Sequence, residues 1–195
     1  MIPLDPPFRL GRATDASALA QLINLAGEGL PEYLWAEEAG TVEAGWELGR
    51  AYQAEKAKDG RVVVADEGDG PIAALMGYSI PEYPDPVPAD APPLYRPMLE
   101  LEALAPKSWF IESLACFPEH RGRGLGSRLL DIAVTIGRDK DADVISLLVE
   151  DNNLGAIRLY ERRGFEATEE REIIGNGWQT SATKWVLMIL DPRRR

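Results

Sequence analysis

The sequence predicts an α/β chain whose sheet mixes parallel and antiparallel pairing. Three observations carry this. The hydrophobic period alternates between strand and helix values in the order β-α-α-β-β-β-α-β-α-β-β. Residues 144–149 form a short apolar run, which suits a strand buried on both faces and paired in parallel. Residues 165–174 and 183–190 read as a closing antiparallel pair. The chain has 195 residues, 45% of them hydrophobic, which suits one domain over 1–195 with a substantial core.

The elements follow in order. Residues 8–12 are a short first strand. Thr14 or Asp15 then supplies an N-cap, with Leu19, Leu22, Ile23 and Ala26 at helical spacing and Gly27 as the stop. Residues 28–40 are expected to be irregular. Residues 41–58 are a second helix carrying Trp46, Leu48 and Tyr52. Residues 61–66 and 72–80 are strands joined by a turn through Gly68, Asp69 and Gly70. Residues 81–107 hold eight prolines, so they form neither a continuous helix nor a central strand. A short helical piece fits at 98–104, and so long an excursion is often functional. Residues 109–117 are the next strand, 122–138 a helix, and 152–162 another helix stopped by Gly164.

Composition excludes several classes. No stretch approaches the ~20 apolar residues that span a bilayer. Residues 1–8 lack the basic region and apolar run of a secretion signal. The one cysteine, Cys116, cannot form an internal disulfide, which fits a reducing cytoplasm. One histidine and one cysteine do not build a structural zinc site, and no metal is expected. The net charge of −11 disfavours nucleic acid and anionic membrane as partners and is compatible with a cationic acceptor. Arginines concentrate at Arg193–Arg195 and at Arg121, Arg123 and Arg128 among glycines. A basic cluster in an acidic chain points to an anionic ligand.

The chemistry concentrates in residues 108–127, where a strand leads through Arg121-Gly122-Arg123-Gly124-Leu125-Gly126-Ser127 into an apolar helix. Glycines there let several peptide N–H groups converge at close range on an anion, and a helix start leaves such groups unpaired and partly positive. A nucleotide P-loop does not fit, because no Lys-Ser/Thr follows the last glycine. A dinucleotide fingerprint has Ser127 at its third glycine position and lacks βαβ units before it.

The order Arg121-x-x-Gly124-x-Gly126 after a strand resembles the acetyl-CoA motif of the GNAT superfamily of N-acetyltransferases. Asn153-x-x-Ala156-x-x-x-Tyr160-x-x-x-Gly164-Phe165 resembles a second run of the same superfamily, one helix and one strand further on. The similarity is sharp over residues 108–166. It implies the GNAT fold, a central mixed and mostly antiparallel sheet of about six to seven strands flanked by helices. It also implies acetyl-CoA as cosubstrate and an amine, small or peptidic, as acceptor. By the resemblance, peptide groups of Leu114, Ala115 and Cys116 hold the pantetheine arm, and Arg121 to Ser127 hold the pyrophosphate. Asn153 reaches the arm, small Ala156 lets it come close, and Tyr160 protonates the departing thiolate. A phenol of ordinary pKa ~10 is a competent donor.

Glu112 is the candidate base for the amine. It lies two residues before Leu114 on one strand face, where burial would raise its pKa. It equally suits pairing with an arginine. Cys116 reads as a small buried hydrophobe, Arg162 and Arg163 as solvated helix-end charges, and His120 as an exposed turn residue. Tyr33, Trp35 and Glu28 are candidate acceptor-site residues; the alternative is that the tryptophans fill core and the glutamates lie on the surface. A CoA-binding module that transfers nothing and a nicotinamide-dependent reductase are the competing classes. A homodimer stays open.

Overall fold

The computed structural model describes residues 3–193. Arg194 and Arg195 of the basic chain end, like Met1 and Ile2, lie outside the described residues. Two compact units are present. One holds the described residues up to Gly77 together with Ser113–Leu129; the other holds Tyr78–Glu112 and the described residues from Leu130.

In the first unit, β1 (Phe8–Leu10), β2 (Val62–Asp66) and β3 (Pro71–Ser79) pair antiparallel, with Leu10 opposite Val63 and Val64 opposite Ala74. The last residues of β4 (Ser108–Cys116) continue on the far side of β3, where the Phe117 N–H donates to the Ile72 carbonyl at 3.0 Å. Alternation puts Val62, Val64, Ala74, Met76 and Ala115 on one face. Leu19, Leu22 and Ile23 of α1 (Ala16–Ala26) cover that face and complete a dry core. A 3-10 turn, Ala13–Asp15, precedes α1. Its Asp15 carboxylate accepts the Arg12 N–H at 2.8 Å, so the expected cap residue serves this turn.

The stretch expected to be irregular is helical: α2 spans Leu30–Ala39. Its two buried residues, Leu30 and Trp35, stand five apart, so no helical period shows in the sequence. Backbone turns at Glu28 (φ 48°) and Gly29 (φ 84°) begin it, with Pro31 in the first turn, and Gly40 (φ 83°) ends it. It packs on α3 (Val42–Lys58), whose Thr41 side chain caps the Ala44 N–H as an N-cap should.

In the second unit, β4 pairs in parallel with β5 (Val144–Glu150), with Ser108 opposite Val144 and Ile111 opposite Leu147. On the other side of β5 lies β7 (Lys184–Leu190), antiparallel, and β6 (Glu166–Glu172) closes against β7 as expected. The proline-rich excursion leaves and returns at one place. Ile80 N–H donates to Ser108 O at 2.8 Å, and Lys107 N–H to Pro81 O at 2.9 Å. Within it, α4 (Arg96–Ala103) forms the short helix the sequence predicts.

The helix expected from 122 begins at Leu125: α5 spans Leu125–Asp139. Gly122 (φ 75°) and Gly124 (φ 79°) are left-handed, and no right-handed helix runs through such residues. Gly137 lets α5 approach the sheet, since a Cβ there would stand 2.1 Å from Ile145 Cδ1. Helix α6 spans Leu154–Arg162. Among the described residues no helix is long and apolar enough to cross a membrane.

Candidate active site

The first unit brings together the end of β4 and the glycine turn. Ala115 faces the α1 core, so Leu114 and Cys116 emerge on the opposite face, both half-buried. The Arg121 guanidinium Nε donates to the Cys116 carbonyl at 3.2 Å and ties the turn back to the strand end. Burial pushes the Cys116 thiol up, against the nearby charges of Arg121 and Arg123. It therefore stays a protonated, weakly reactive side chain.

At the mouth of α5, the Arg128 N–H bonds the Gly124 carbonyl at 3.1 Å, which makes Gly124 the cap of the helix. The amides of Gly124, Leu125, Gly126 and Ser127 then lie ahead of the first closed turn and lack helical partners. A Cβ built on Gly122 or Gly124 meets no atom within 4 Å, so the space over the turn is open. These are the properties of an anion cradle. Two arginines of the cluster are engaged elsewhere. Arg123 pairs with Glu67 in the β2–β3 turn and contacts His120 Nδ1 at 3.1 Å, and that pairing holds the Glu67 carboxyl below its usual range. Arg128 lies over the Phe8 ring at 4.5 Å. His120, expected to be exposed, is partly buried in this arrangement.

The second unit holds the α6 residues. Asn153 is the N-cap, and its Oδ1 accepts the Ala156 N–H at 3.2 Å, so the side chain first serves the helix start. Tyr160 is buried, and its ring packs on Phe165 with centroids 5.8 Å apart. Its phenol differs from the ordinary one expected: burial, then the charge of the buried Glu150, pushes it well above the usual tyrosine range. It holds its proton at any neutral or mildly alkaline pH. Arg163 is also not simply solvated, because it forms an ion pair with Asp131 of α5.

Glu112 is exposed, not buried as expected. It directly follows the buried Ile111 on β4. A neighbouring carboxylate, which sequence reasoning missed, is tuned. Glu102 of α4 is half-buried and accepts the Tyr78 hydroxyl on Oε2 at 2.7 Å. Burial raises its pKa, the Tyr78 bond works the other way, and the charge of Glu112 adds to the rise. Nothing in the spacing of the sequence announces this pair, because it joins a helix inside the proline-rich excursion to a strand.

Of the acceptor candidates, Trp35 is buried in the first unit's core, edge-on to Trp46 with centroids 5.7 Å apart. Tyr33 is half-buried on α2, and Glu28 is exposed at the turn before it.

Residues 20–165 match the family model described as acetyltransferase (GNAT) family. Among curated proteins, an N-acetyltransferase of Methanocaldococcus jannaschii is 38% identical over 61 residues, 31% of this chain and 25% of that protein. Mycothiol acetyltransferase of Corynebacterium aurimucosum is 44% identical over 52 residues, 27% of this chain and 17% of that protein. The chain thus matches about a quarter or less of the length of these relatives. Among solved structures, ribosomal-protein-alanine N-acetyltransferase from Brucella melitensis aligns with a TM-score of 0.64 at 19% identity, over 94% of this chain and 98% of that one. A Bacillus subtilis acetyltransferase in complex with CoA aligns with a TM-score of 0.58 at 17% identity, over 94% and 97%. At these identities the structures establish a shared mixed α/β fold.

Proposed function

Because the chain belongs to the GNAT acetyltransferase family, we propose that it is an acetyl-CoA-dependent N-acetyltransferase that acetylates a primary amine on a small molecule or peptide. The reading takes residues 1–195 as one catalytic domain at work in the cytoplasm. The observation that carries it is the cradle at the mouth of α5, with left-handed Gly122 and Gly124, helix-start amides that lack helical partners, and open space above Gly122 and Gly124. The residues present fit a diphosphate. The turn Arg121, Gly122, Arg123, Gly124, Leu125, Gly126 and Ser127 would hold it, and Leu114, Ala115 and Cys116 would hold the pantetheine arm by strand-like hydrogen bonds. Asn153 and Ala156 are the remaining contacts in this reading. Bound there, acetyl-CoA supplies an acetyl group already activated as a thioester.

The chain's own residues supply orientation and proton transfer. Glu112 is the candidate base that takes a proton from the acceptor's ammonium; its exposure suits a direct transfer or one through water. Strand N–H groups near Leu114 would stabilise the carbonyl oxygen as charge gathers on it. Tyr160 gives its proton to the leaving sulfur. Its raised pKa makes it a weaker acid than an ordinary phenol, and it keeps the donor fully protonated. The net charge of −11 favours a cationic acceptor over nucleic acid.

The test incubates the chain with acetyl-CoA and a panel of amines, polyamines, aminoglycosides and peptides with free α-amines, and reads CoA release with a thiol-reactive dye. Release that depends on one class of amine supports the reading. Bound acetyl-CoA with no release from any amine overturns it in favour of a CoA-binding module.

A further inference from the structure

Within the second unit, Glu102 of α4 meets groups from two strands, Tyr78 of β3 and Glu112 of β4. Tyr78, on the last turn of sheet in β3, lays its ring against Phe110 of β4, with centroids 5.3 Å apart and planes at 47°. From there its hydroxyl reaches Glu102 Oε2 at 2.7 Å. Two residues beyond Phe110, on the same face of β4, stands Glu112. Its charge acts on Glu102. A tyrosine buttressed by a phenylalanine thus fixes a half-buried carboxylate next to the candidate base. That costs desolvation of an acid.

The remaining charges around α4 are spent on other partners. On α4 itself, Arg96 donates to the Ala89 carbonyl at 2.8 Å and Glu100 faces Arg171 at 3.7 Å. From β6, Arg171 also pairs with Glu169 at 3.4 Å, while Glu166, Glu170 and Glu172 are exposed. From β7, Lys184 pairs with Glu170. From β5, Glu150 is buried and acts on Tyr160. Tyr78 and Glu112 act on Glu102.

We propose that Glu102 is a positioning residue for the transfer: held by the Tyr78 hydroxyl, it keeps a second negative charge beside Glu112, and that charge steadies the acceptor's ammonium nitrogen and the proton Glu112 takes from it. This rests on the N-acetyltransferase reading. The ammonium loses one proton to the Glu112 carboxylate, which returns it to water after the product leaves; the nitrogen loses its second proton as the carbon–sulfur bond breaks, and this proton, through solvent, replaces the one that Tyr160 gives to the departing sulfur. Glu102 acts by its field and neither gains nor loses a proton in the cycle.

Glu102 carries its charge only above a pH window that lies higher than the ordinary carboxyl range, because burial favours the neutral acid and the adjacent Glu112 charge reinforces it. The Tyr78 hydrogen bond favours the charged form, so its loss moves the window upward. The acceptor KM should therefore rise as pH falls through that window.

The experiment measures kcat and KM for the amine that releases CoA in the panel, at saturating acetyl-CoA, from pH 5 to 9. It is paired with carbon-13 NMR titration of protein labelled at the glutamate δ-carboxyl. Glu102→Gln is expected to raise the amine KM roughly tenfold at neutral pH, with kcat changed by less than about threefold, and to delete one carboxyl signal that titrates high. Tyr78→Phe is expected to move that signal, and the rise of KM on acidification, up by roughly half to one pH unit. The Tyr78→Phe shift is expected to vanish in the Glu102→Gln background. An amine KM unmoved by Glu102→Gln, or an equal Tyr78→Phe shift in both backgrounds, overturns the role of Glu102 while leaving the transferase reading intact. If Glu102→Gln does not fold, the Tyr78→Phe titration and KM profile decide alone. CoA release from no amine in the wild type, with the carboxyl titration intact, overturns the transferase reading and this role with it.

Discussion

The Trp35 indole occupies the space where a side chain on Gly49 would stand: a Cβ there would lie 2.4 Å from Trp35 Cε3. Gly45, one turn earlier on α3, approaches α2 just as closely, with its Cβ position 2.7 Å from the Ala36 nitrogen. The two glycines make a groove on α3 that receives α2. In an exposed helix, Gly→Ala gains about 1 kcal/mol of helix propensity. Here the overlap with a buried ring wins. Gly49→Ala is expected to destabilise the chain by about 1–3 kcal/mol, read as a lower urea midpoint at unchanged slope. A raised midpoint would show that Trp35 moves aside at little cost.

Arg9 joins the start of the chain to the β2–β3 turn. Its guanidinium donates to Asp15 Oδ2 at 2.7 Å and to Asp66 Oδ2 at 2.6 Å. Burial of Asp15 works against its charge, but the bonds from Arg9 and from the Arg12 amide prevail and hold its carboxyl below the usual range. The Gly68 amide and then Arg9 do the same for Asp66. Both carboxyls are depressed in the folded chain, so their stabilisation is complete above the unfolded value near ~4 and is lost as pH falls through the lower folded values. Arg9→Gln is expected to cost about 2 kcal/mol at pH 7. The gap between variant and wild type should begin to narrow near about pH 4 and go on closing as pH falls through the lower folded values. A gap that persists at pH 2 would assign the effect to packing of the arginine stem.

The strands that are apolar runs were legible in the sequence. β2, β3, β5 and β7 are mostly buried apolar segments bounded by turn residues, whereas β6 is exposed along nearly all its length and reads as a strand only as the partner of β7. Helix α2 was not legible, because its helical face contributes only Leu30 and Trp35 to the core and its boundaries are set by backbone turns at Glu28, Gly29 and Gly40. The start of α5 was misplaced for a related reason. Glycines at 122 and 124 are read equally well as loose helix or as left-handed turn until their φ values are known. At the candidate site, the local motifs were readable, and the long-range pairings were not. Glu67 with Arg123 and Tyr78 with Glu102 are separated by 56 and 24 residues, and no spacing rule links them.

The glycine turn makes its own prediction. Gly124 sits at φ 79°, a conformation that a β-branched residue adopts only under strain, although the space around its Cβ position is open. Gly124→Val should therefore act through backbone geometry, not through a clash. It is expected to weaken CoA binding at least a hundredfold in calorimetry, the equivalent of about 3 kcal/mol, with a smaller loss of thermal stability. Gly124→Ala should fall between the two. Undiminished CoA affinity in the valine variant would remove the turn from the diphosphate site.

Tyr160 separates chemistry from binding. Its ring is part of the second unit's core, against Phe165, so Tyr160→Phe keeps the packing and deletes only the hydroxyl. If that hydroxyl protonates the leaving sulfur, kcat should fall by roughly 10²–10⁴-fold while the KM for acetyl-CoA changes little. The raised pKa adds a second signature. Since burial and Glu150 keep the phenol protonated beyond the ordinary tyrosine range, the wild-type rate should show no alkaline loss from this group up to about pH 10. Glu150→Gln removes one of the two causes and should lower that limit. Steady-state profiles for the wild type, Tyr160→Phe and Glu150→Gln decide the matter. Equal losses in kcat and in acetyl-CoA affinity for Tyr160→Phe would make the hydroxyl a binding group and leave the leaving sulfur to be protonated from solvent.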